Sequence, residues 1–349
     1  MPADVAFAIT QLSSHDGPTY VPSHDAWFFS RYADVVAGLR AFRTQHLSSD
    51  LAAQAFVRFD TAALRNRVRH ACEHALERVR NEHRLDVVRD YAAAVTSTVV
   101  PELFGISLPD RERFLQWCKA IHRTRQQIDG TRSIERVGAE AARELADYLL
   151  RLIADRRTEP RDDLLGALVA AAGDSGTDDI VDCVVSLAIA GTETTTDLLG
   201  LGVLALLESP EQFHLLRGSP DLAPAAVEEL LRYCGPVRLT PRRAPSTMVV
   251  AGAQVAEGQL VMLGLAAANR DPAVFSAPDE LDLMRTDNRH LTFGLGGLDR
   301  LGAPLVRLQA EIALQTLLRR LPYLELADND HRYQDVPTLR GLRALPVVF

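Results

Sequence analysis

Apolar residues recur at helical spacing along most of the chain, and only short stretches alternate in the manner of strands. Turn residues near Thr19 give way to an aromatic, strand-like run ending about Ser30, and a helical pattern follows from Tyr32 to about Phe42. From about Thr61 to Ala154 the spacing is mostly helical, with breaks predicted at Pro101 and at Leu108-Pro109-Asp110, where Pro and Asp mark a helix start. Gly173 to Thr177 reads as a loop. A long helix is then predicted from Asp178 to Leu207, stopped by Ser209-Pro210. At about 1.5 Å per residue it would run about 45 Å, long enough to cross a whole domain. Another helix spans Pro224 to Cys234 and ends at Gly235-Pro236, and β-branched runs with turns at Ala251-Gly252 and Glu257-Gly258 read as strands and hairpins. An irregular stretch follows Asn269-Arg270-Asp271-Pro272 as far as Arg289. A glycine-rich loop, a last helix over about Pro304 to Arg320 and short strands complete the order. No internal repeat or low-complexity linker interrupts it, so the pattern predicts a single domain over residues 1–349, mostly α with a small β portion.

Composition narrows the function classes. With 349 residues, 47% of them apolar, the chain can bury a sizeable core. A net charge of −8 with the signs interspersed presents no basic face to nucleic acid. Of the 38 basic residues, only Lys119 is a lysine, a skew that points to the codon usage of a high-GC bacterium. Cys72, Cys118, Cys183 and Cys234 are far apart and read as reduced thiols of a cytoplasmic protein. The first ten residues lack the basic start of a signal peptide, and no apolar run is long enough to span a bilayer.

Three motifs carry chemistry. Ala190-Gly191-Thr192-Glu193-Thr194-Thr195 lies midway along the long predicted helix, where glycine costs about 0.5–1 kcal/mol against alanine and so asks for a reason. Close packing through Gly191, with the threonines bonded back to the backbone, is the plainer account. Glu193 and Thr194 are the acid–base candidates if the segment is chemical. Glu229-Leu-Leu-Arg232 places a carboxylate and a guanidinium on one helix face, able to pair and reach the irregular stretch together, with Arg242 and the Asn269 segment following in the sequence. Last, His290-Leu-Thr-Phe293-Gly294-Leu-Gly296-Gly-Leu298-Asp-Arg300-Leu-Gly302 is glycine-rich at a helix start. No βαβ unit surrounds it, which excludes a dinucleotide fingerprint. His70 and His74 are spaced for a metal on one helix face, but no third ligand follows at motif spacing, so no metal is predicted.

Together these segments resemble the cytochrome P450 family of the bacterial type, from about Trp27 to Phe349. The likeness includes Arg31-Tyr-Ala-Asp-Val, Pro101-Glu-Leu-Phe-Gly, the central helix, Glu229 to Tyr233, Arg242-Arg-Ala, and Leu339-Arg-Gly-Leu. The family's haem loop reads Phe-Gly-x-Gly-x-His-x-Cys-x-Gly. Here Phe293, Gly294, Gly296 and Gly302 keep the frame, while Arg300 stands at the thiolate position and Leu298 at that of the loop histidine. Thr61 stands where a second haem-contacting histidine is expected, and the stretch between Arg40 and Leu64 is some thirty residues shorter than the resemblance implies. The implied fold is thus a cytochrome P450 fold truncated at the N-terminus and in the loop over the pocket. In the family, Glu193 and Thr194 would manage protons for bound oxygen, and Glu229 with Arg232 would lock the meander behind the loop. Gly191 would serve the helix kink.

An arginine cannot ligate iron. The chain is therefore similar to the haem-free P450-like auxiliary proteins that bind, stabilise and activate glycosyltransferases in polyketide and macrolide biosynthesis. That resemblance implies no cofactor and a glycosyltransferase partner. A haem-sized void of several hundred Å³ would cost on the order of 10 kcal/mol at about 24 cal/mol per Å³, so it must collapse, fill with water, or hold a small molecule or partner segment. Two other readings stay open: non-redox chemistry such as cyclisation or rearrangement in the emptied pocket, with Glu193 and Thr194, and a monooxygenase whose haem is held by another ligand such as His290.

Overall fold

The computed structural model describes residues 17–42, 51, 53–56, 59, 61–125, 132–173, 176–295, 297–334 and 336–349. In chain order the helices are α1 (Tyr32–Ala41), α2 (Thr61–Glu77), α3 (Ala93–Leu103), α4 (Arg111–Arg125), α5 (Arg132–Thr158), α6 (Leu164–Ala172) and α7 (Thr177–Gly191). They continue with α8 (Glu193–Leu207), α9 (Pro210–Gly218), α10 (Ala223–Cys234), the single turn α11 (Leu265–Ala268) and α12 (Gly297–Arg320). The strands are β1 (Thr19–Val21), β2 (Ala26–Phe29), β3 (Arg84–Asp86), β4 (Leu239–Arg243), β5 (Met248–Val250), β6 (Ala253–Val255), β7 (Leu260–Gly264), β8 (Glu325–Leu326) and β9 (Pro346–Val348). Two compact units result. The first comprises Met1–Thr44, Leu204–Gly296 and Tyr333–Gly341, the second Gln45–Val203, Gly297–Arg332 and Leu342–Phe349.

In the first unit a four-stranded sheet runs in the order β1-β2-β7-β4, with β2 and β7 parallel and the outer pairs antiparallel. Alternation along β2 and β7 turns Phe29, Val261 and Leu263 inward, where they pack with Val35 and Leu39 of α1 and with Leu265 and Leu291. Helix α1 approaches so closely that a Cβ on Gly38 would stand 2.5 Å from Leu263 Cδ2. β5 and β6 pair as a separate hairpin.

The same unit is pinned by a buried charge pair on α10. Arg232 Nε and Nη2 donate to the two oxygens of Glu229, each at 2.8 Å. Its remaining donors go to the main-chain carbonyls of Asn269 (3.0 Å), Pro278 (2.7 Å) and Glu280 (2.9 Å). That accounts for all five guanidinium N–H groups. Glu229 in turn accepts from Arg285 Nε, the Asp282 amide and Asn288 Nδ2. Residues 269–288, which have no repeating pattern, are thereby folded against one helix face.

The second unit is helical, with β3, β9 and β8 forming a small antiparallel sheet. Its buried ion pair joins Arg156 of α5 to Asp163, at 2.6 Å, and Asp163 also caps α6 by accepting from the Gly166 amide at 2.8 Å. Gly105 lies against this pair: a Cβ there would fall 2.3 Å from Asp163 and 2.4 Å from Arg156, and its φ of +64° suits glycine alone. This closes α3. The helix therefore runs through Pro101, where a break is predicted, and stops at Leu103. The long central helix is likewise divided, since Thr192 leaves helical geometry (φ −104°, ψ −88°) between α7 and α8. α12 starts seven residues before its predicted start at Pro304 and contains that proline. β3 falls inside a stretch read as helical. Among the described residues no helix is long and apolar enough to cross a membrane.

Two substitutions test these clamps by urea unfolding. Glu229→Ala leaves Arg232 buried without its counter-charge and is expected to cost about 3–5 kcal/mol. Asp163→Ala strands Arg156 in the same way and removes a helix cap, with an expected loss of about 4–6 kcal/mol in total. A loss under about 1 kcal/mol in either variant would show that the pair is not holding its unit together.

Candidate functional site

The Gly191–Thr195 segment sits at the junction of α7 and α8. Three hydroxyls turn back onto main-chain carbonyls at the break: Thr192 Oγ1 donates to Ala188 O at 2.7 Å, which also accepts from the Thr192 amide at 3.0 Å, and Thr194 and Thr195 Oγ1 both donate to Ala190 O at 2.8 Å. The Gly191 carbonyl accepts from Gln309 Nε2 of α12 at 3.2 Å. Gly191 faces a crowded neighbourhood, since a Cβ would stand 2.9 Å from both Leu305 Cδ2 and Val100 Cγ2. Across the same contact, a Cβ on Gly302 would fall 2.5 Å from Ala190 Cβ. Two glycines thus let α7 and α12 touch at backbone distance.

Glu193 is half-buried and forms no hydrogen bond or ion pair with a described residue. After burial, its charge is the next cause that raises the thiol of nearby Cys118 to about 12. Thr194 is half-buried with its hydroxyl committed to Ala190. The acid and the alcohol are therefore not bonded to each other.

The glycine-rich loop is described in two parts, Leu291 to Leu295 and, from Gly297 on, the start of α12. On its first half, Leu291 to Gly294 forms a tight turn with Gly294 N donating to Leu291 O at 2.8 Å, and Gly294 has φ +65°. Asn269 holds this turn from both sides, accepting from the Leu291 amide at 2.7 Å and donating to Thr292 Oγ1 at 2.9 Å. Thr292 Oγ1 donates to Leu231 O of α10 at 2.7 Å. Phe293 rests beside the His290 ring, with centroids 5.9 Å apart. His290 Nε2 lies 3.3 Å from Glu228, and its Nδ1 accepts from the Thr292 amide at 3.3 Å. Gly296 lies outside the described residues. Leu298 and Arg300 fall in the first turn of α12, and Thr61 opens α2. Most of the shortened stretch between Arg40 and Leu64 also lies outside the described residues.

Arg242 sits on β4, donating to Thr240 Oγ1 at 2.6 Å and to Pro241 O at 2.9 Å. The cysteines are all buried and free, on α2, α4, α7 and α10. Among the described residues, no three His, Cys, Asp or Glu groups gather into a metal-holding cluster.

Sequence reasoning missed Gln309 and Arg285. Gln309 could have been found, because Gly302, Leu305 and Gln309 repeat at i, i+3 and i+7 on one helix face. Arg285 could not, for it lies in a stretch without periodicity.

Comparison with known proteins places this architecture. Residues 221–337, which carry the Glu229–Arg232 pair and the glycine loop, match the family model described as Cytochrome P450. The chain is similar to Cytochrome P450 CYP107DY1 of Priestia megaterium, at 38% identity over 86% of this chain and 73% of that one. It is also similar to the polyketide biosynthesis cytochrome P450 PksS of Bacillus subtilis, at 37% identity over 84% of this chain and 73% of the relative. The crystal structure of P450BioI in complex with hexadec-9Z-enoic acid ligated acyl carrier protein superposes with a TM-score of 0.87, at 30% identity, covering 99% of this chain and 98% of that one. With that likeness spread over most of its length, the chain belongs to the cytochrome P450 family.

Proposed function

We propose that this chain is a haem-free auxiliary protein of natural-product biosynthesis, which binds, stabilises and activates a glycosyltransferase of polyketide or macrolide assembly and does not itself oxidise a substrate. The observation that carries the reading is Arg300. It occupies the loop position from which the family supplies its ligating sulfur, and a guanidinium has no lone pair to give iron. The position also falls in the first turn of α12, where the helix end favours an anion and arginine brings a cation.

Among the described residues, the cysteines and His290 offer no substitute. Burial pushes the thiols of Cys72, Cys118 and Cys234 up to about 12, which keeps them protonated, and Cys183 is equally enclosed. Both ring nitrogens of His290 are engaged, by Glu228 and by the Thr292 amide. The residues present do not fit a thiolate-held haem. By contrast, the Glu229–Arg232 cage and the α7–α12 contact are closed by the chain's own side chains and need no metal. A protein that keeps such a frame without its ligand is suited to binding. PksS bears polyketide biosynthesis in its name, which supports a biosynthetic setting, and P450BioI was crystallised with an acyl carrier protein, which supports a fold that can meet another protein.

One observation favours a second reading. Glu193 is half-buried and unbonded to described residues, as a general acid or base would be, so non-redox cyclisation or rearrangement with Glu193 is the alternative.

Three measurements decide. Co-expressed with a sugar transferase encoded beside it, the chain is expected to co-purify and to raise the rate of sugar transfer; an unchanged rate rejects the auxiliary role. Haem titration is expected to give no Soret band, and Arg300→Cys no thiolate spectrum either, because Leu298 and Thr61 still replace the contacting histidines; a Soret band in the unmodified chain overturns the haem-free reading. Product formed by the purified chain alone and lost in Glu193→Gln would install the alternative.

A further inference from the structure

The two nitrogens of His290 do opposite things for the glycine turn. The side chain is only 4% exposed, and Phe293 lies against the ring with centroids 5.9 Å apart. Nδ1 accepts from the Thr292 amide at 3.3 Å, and an imidazole nitrogen that accepts carries no proton. The ring's proton is therefore on Nε2, which donates to Glu228 of α10, also at 3.3 Å. The fold thus selects one neutral tautomer, in which a single ring joins the turn to the helix behind it.

A second proton changes what the ring can hold. Imidazolium has two N–H groups and no acceptor, so Nδ1 would aim a donor at the Thr292 donor, and turning the ring over would not relieve this. The contact with Glu228 would instead gain the attraction of opposite charges. The other ties on the turn do not titrate: Asn269 grips the Leu291 amide and the Thr292 hydroxyl, and that hydroxyl donates to Leu231 O. Protonation would therefore loosen the turn without releasing it. Among the described residues, Glu228 is the charged group that meets the ring from α10, while its neighbour Glu229 is closed in by Arg232, Arg285 and Asn288. On the ring's own segment Arg289 pairs with Asp287 at 2.8 Å, with side chains 65% and 63% exposed, and Tyr32 of α1 donates to the Arg289 carbonyl.

We propose that His290 is a proton-operated latch: on acidification the ring gives up the Thr292 amide, keeps Glu228, and lets the Leu291–Gly294 turn loosen. Histidine is the side chain suited to such a device, since its charge changes within the range of about pH 5 to 8. The latch lies within the first unit and stands apart from the question of a transferase partner.

The test is amide hydrogen exchange of the full chain between about pH 8 and about pH 5, read by mass spectrometry on peptides covering the turn and corrected for the intrinsic pH dependence of exchange. Peptides from α10 serve as the internal reference. In the unmodified chain the corrected exchange of the turn is expected to rise at least about threefold on acidification, as for the loss of one hydrogen bond, while α10 stays level. His290→Gln can still accept from Thr292 and donate to Glu228 but cannot titrate, so its profile is expected to be flat. Glu228→Gln still accepts from Nε2 but lacks the charge that favours imidazolium, so the midpoint is expected at least about half a pH unit lower. A flat profile in the unmodified chain, an equal rise in α10, or a slope that survives in His290→Gln overturns the proposal. So does an unmoved midpoint in Glu228→Gln, which keeps the latch testable even where His290→Gln fails to fold.

Discussion

A carboxylate and a guanidinium one helical turn apart, Glu229 and Arg232, fold a stretch that could not fold itself. Residues 269–288 have neither helical nor strand periodicity, so their backbone polar groups lack the partners that regular structure supplies. Arg232 provides donors for three of those carbonyls and is itself kept charged and fixed by Glu229. The Asp282 amide, Arg285 and Asn288 close the cage from the other side. From there the order propagates. Asn269 is placed by the cage, grips the Leu291–Gly294 turn, and Thr292 ties that turn back to α10. Removing either charge would leave the other buried alone, which is costlier than never having had the pair.

In the second unit the corresponding constraint is proximity. α7 and α12 meet where Gly191, Ala190 and Gly302 leave room for two backbones, and Gln309 supplies the donor that the broken helix lacks. Neither device involves a metal. On the proposed reading this separates two demands that the family normally satisfies with one sequence. The frame is maintained by ion pairs, hydroxyl back-bonds and glycine contacts, while the ligating position is free to become arginine.

How far this was legible from the residues depended on range. The Glu229–Arg232 pair announced itself by its i, i+3 spacing, and α1, α10 and the β-rich segment between Leu239 and Gly264 by their apolar period. The break at Thr192 is not legible in the apolar spacing, which continues unbroken through Gly191; only the resemblance, in which Gly191 serves a helix kink, points to it, and the Gln309 amide that meets the Gly191 carbonyl comes from a helix more than a hundred residues away. The helix through Pro101 was misjudged for the opposite reason. Proline weakens a helix locally, yet the true stop is set by Gly105 lying against Arg156 and Asp163. β3 was hidden because its partner β9 lies at the far end of the chain. The glycines could be flagged as unusual, but which neighbour each one admits is a tertiary fact.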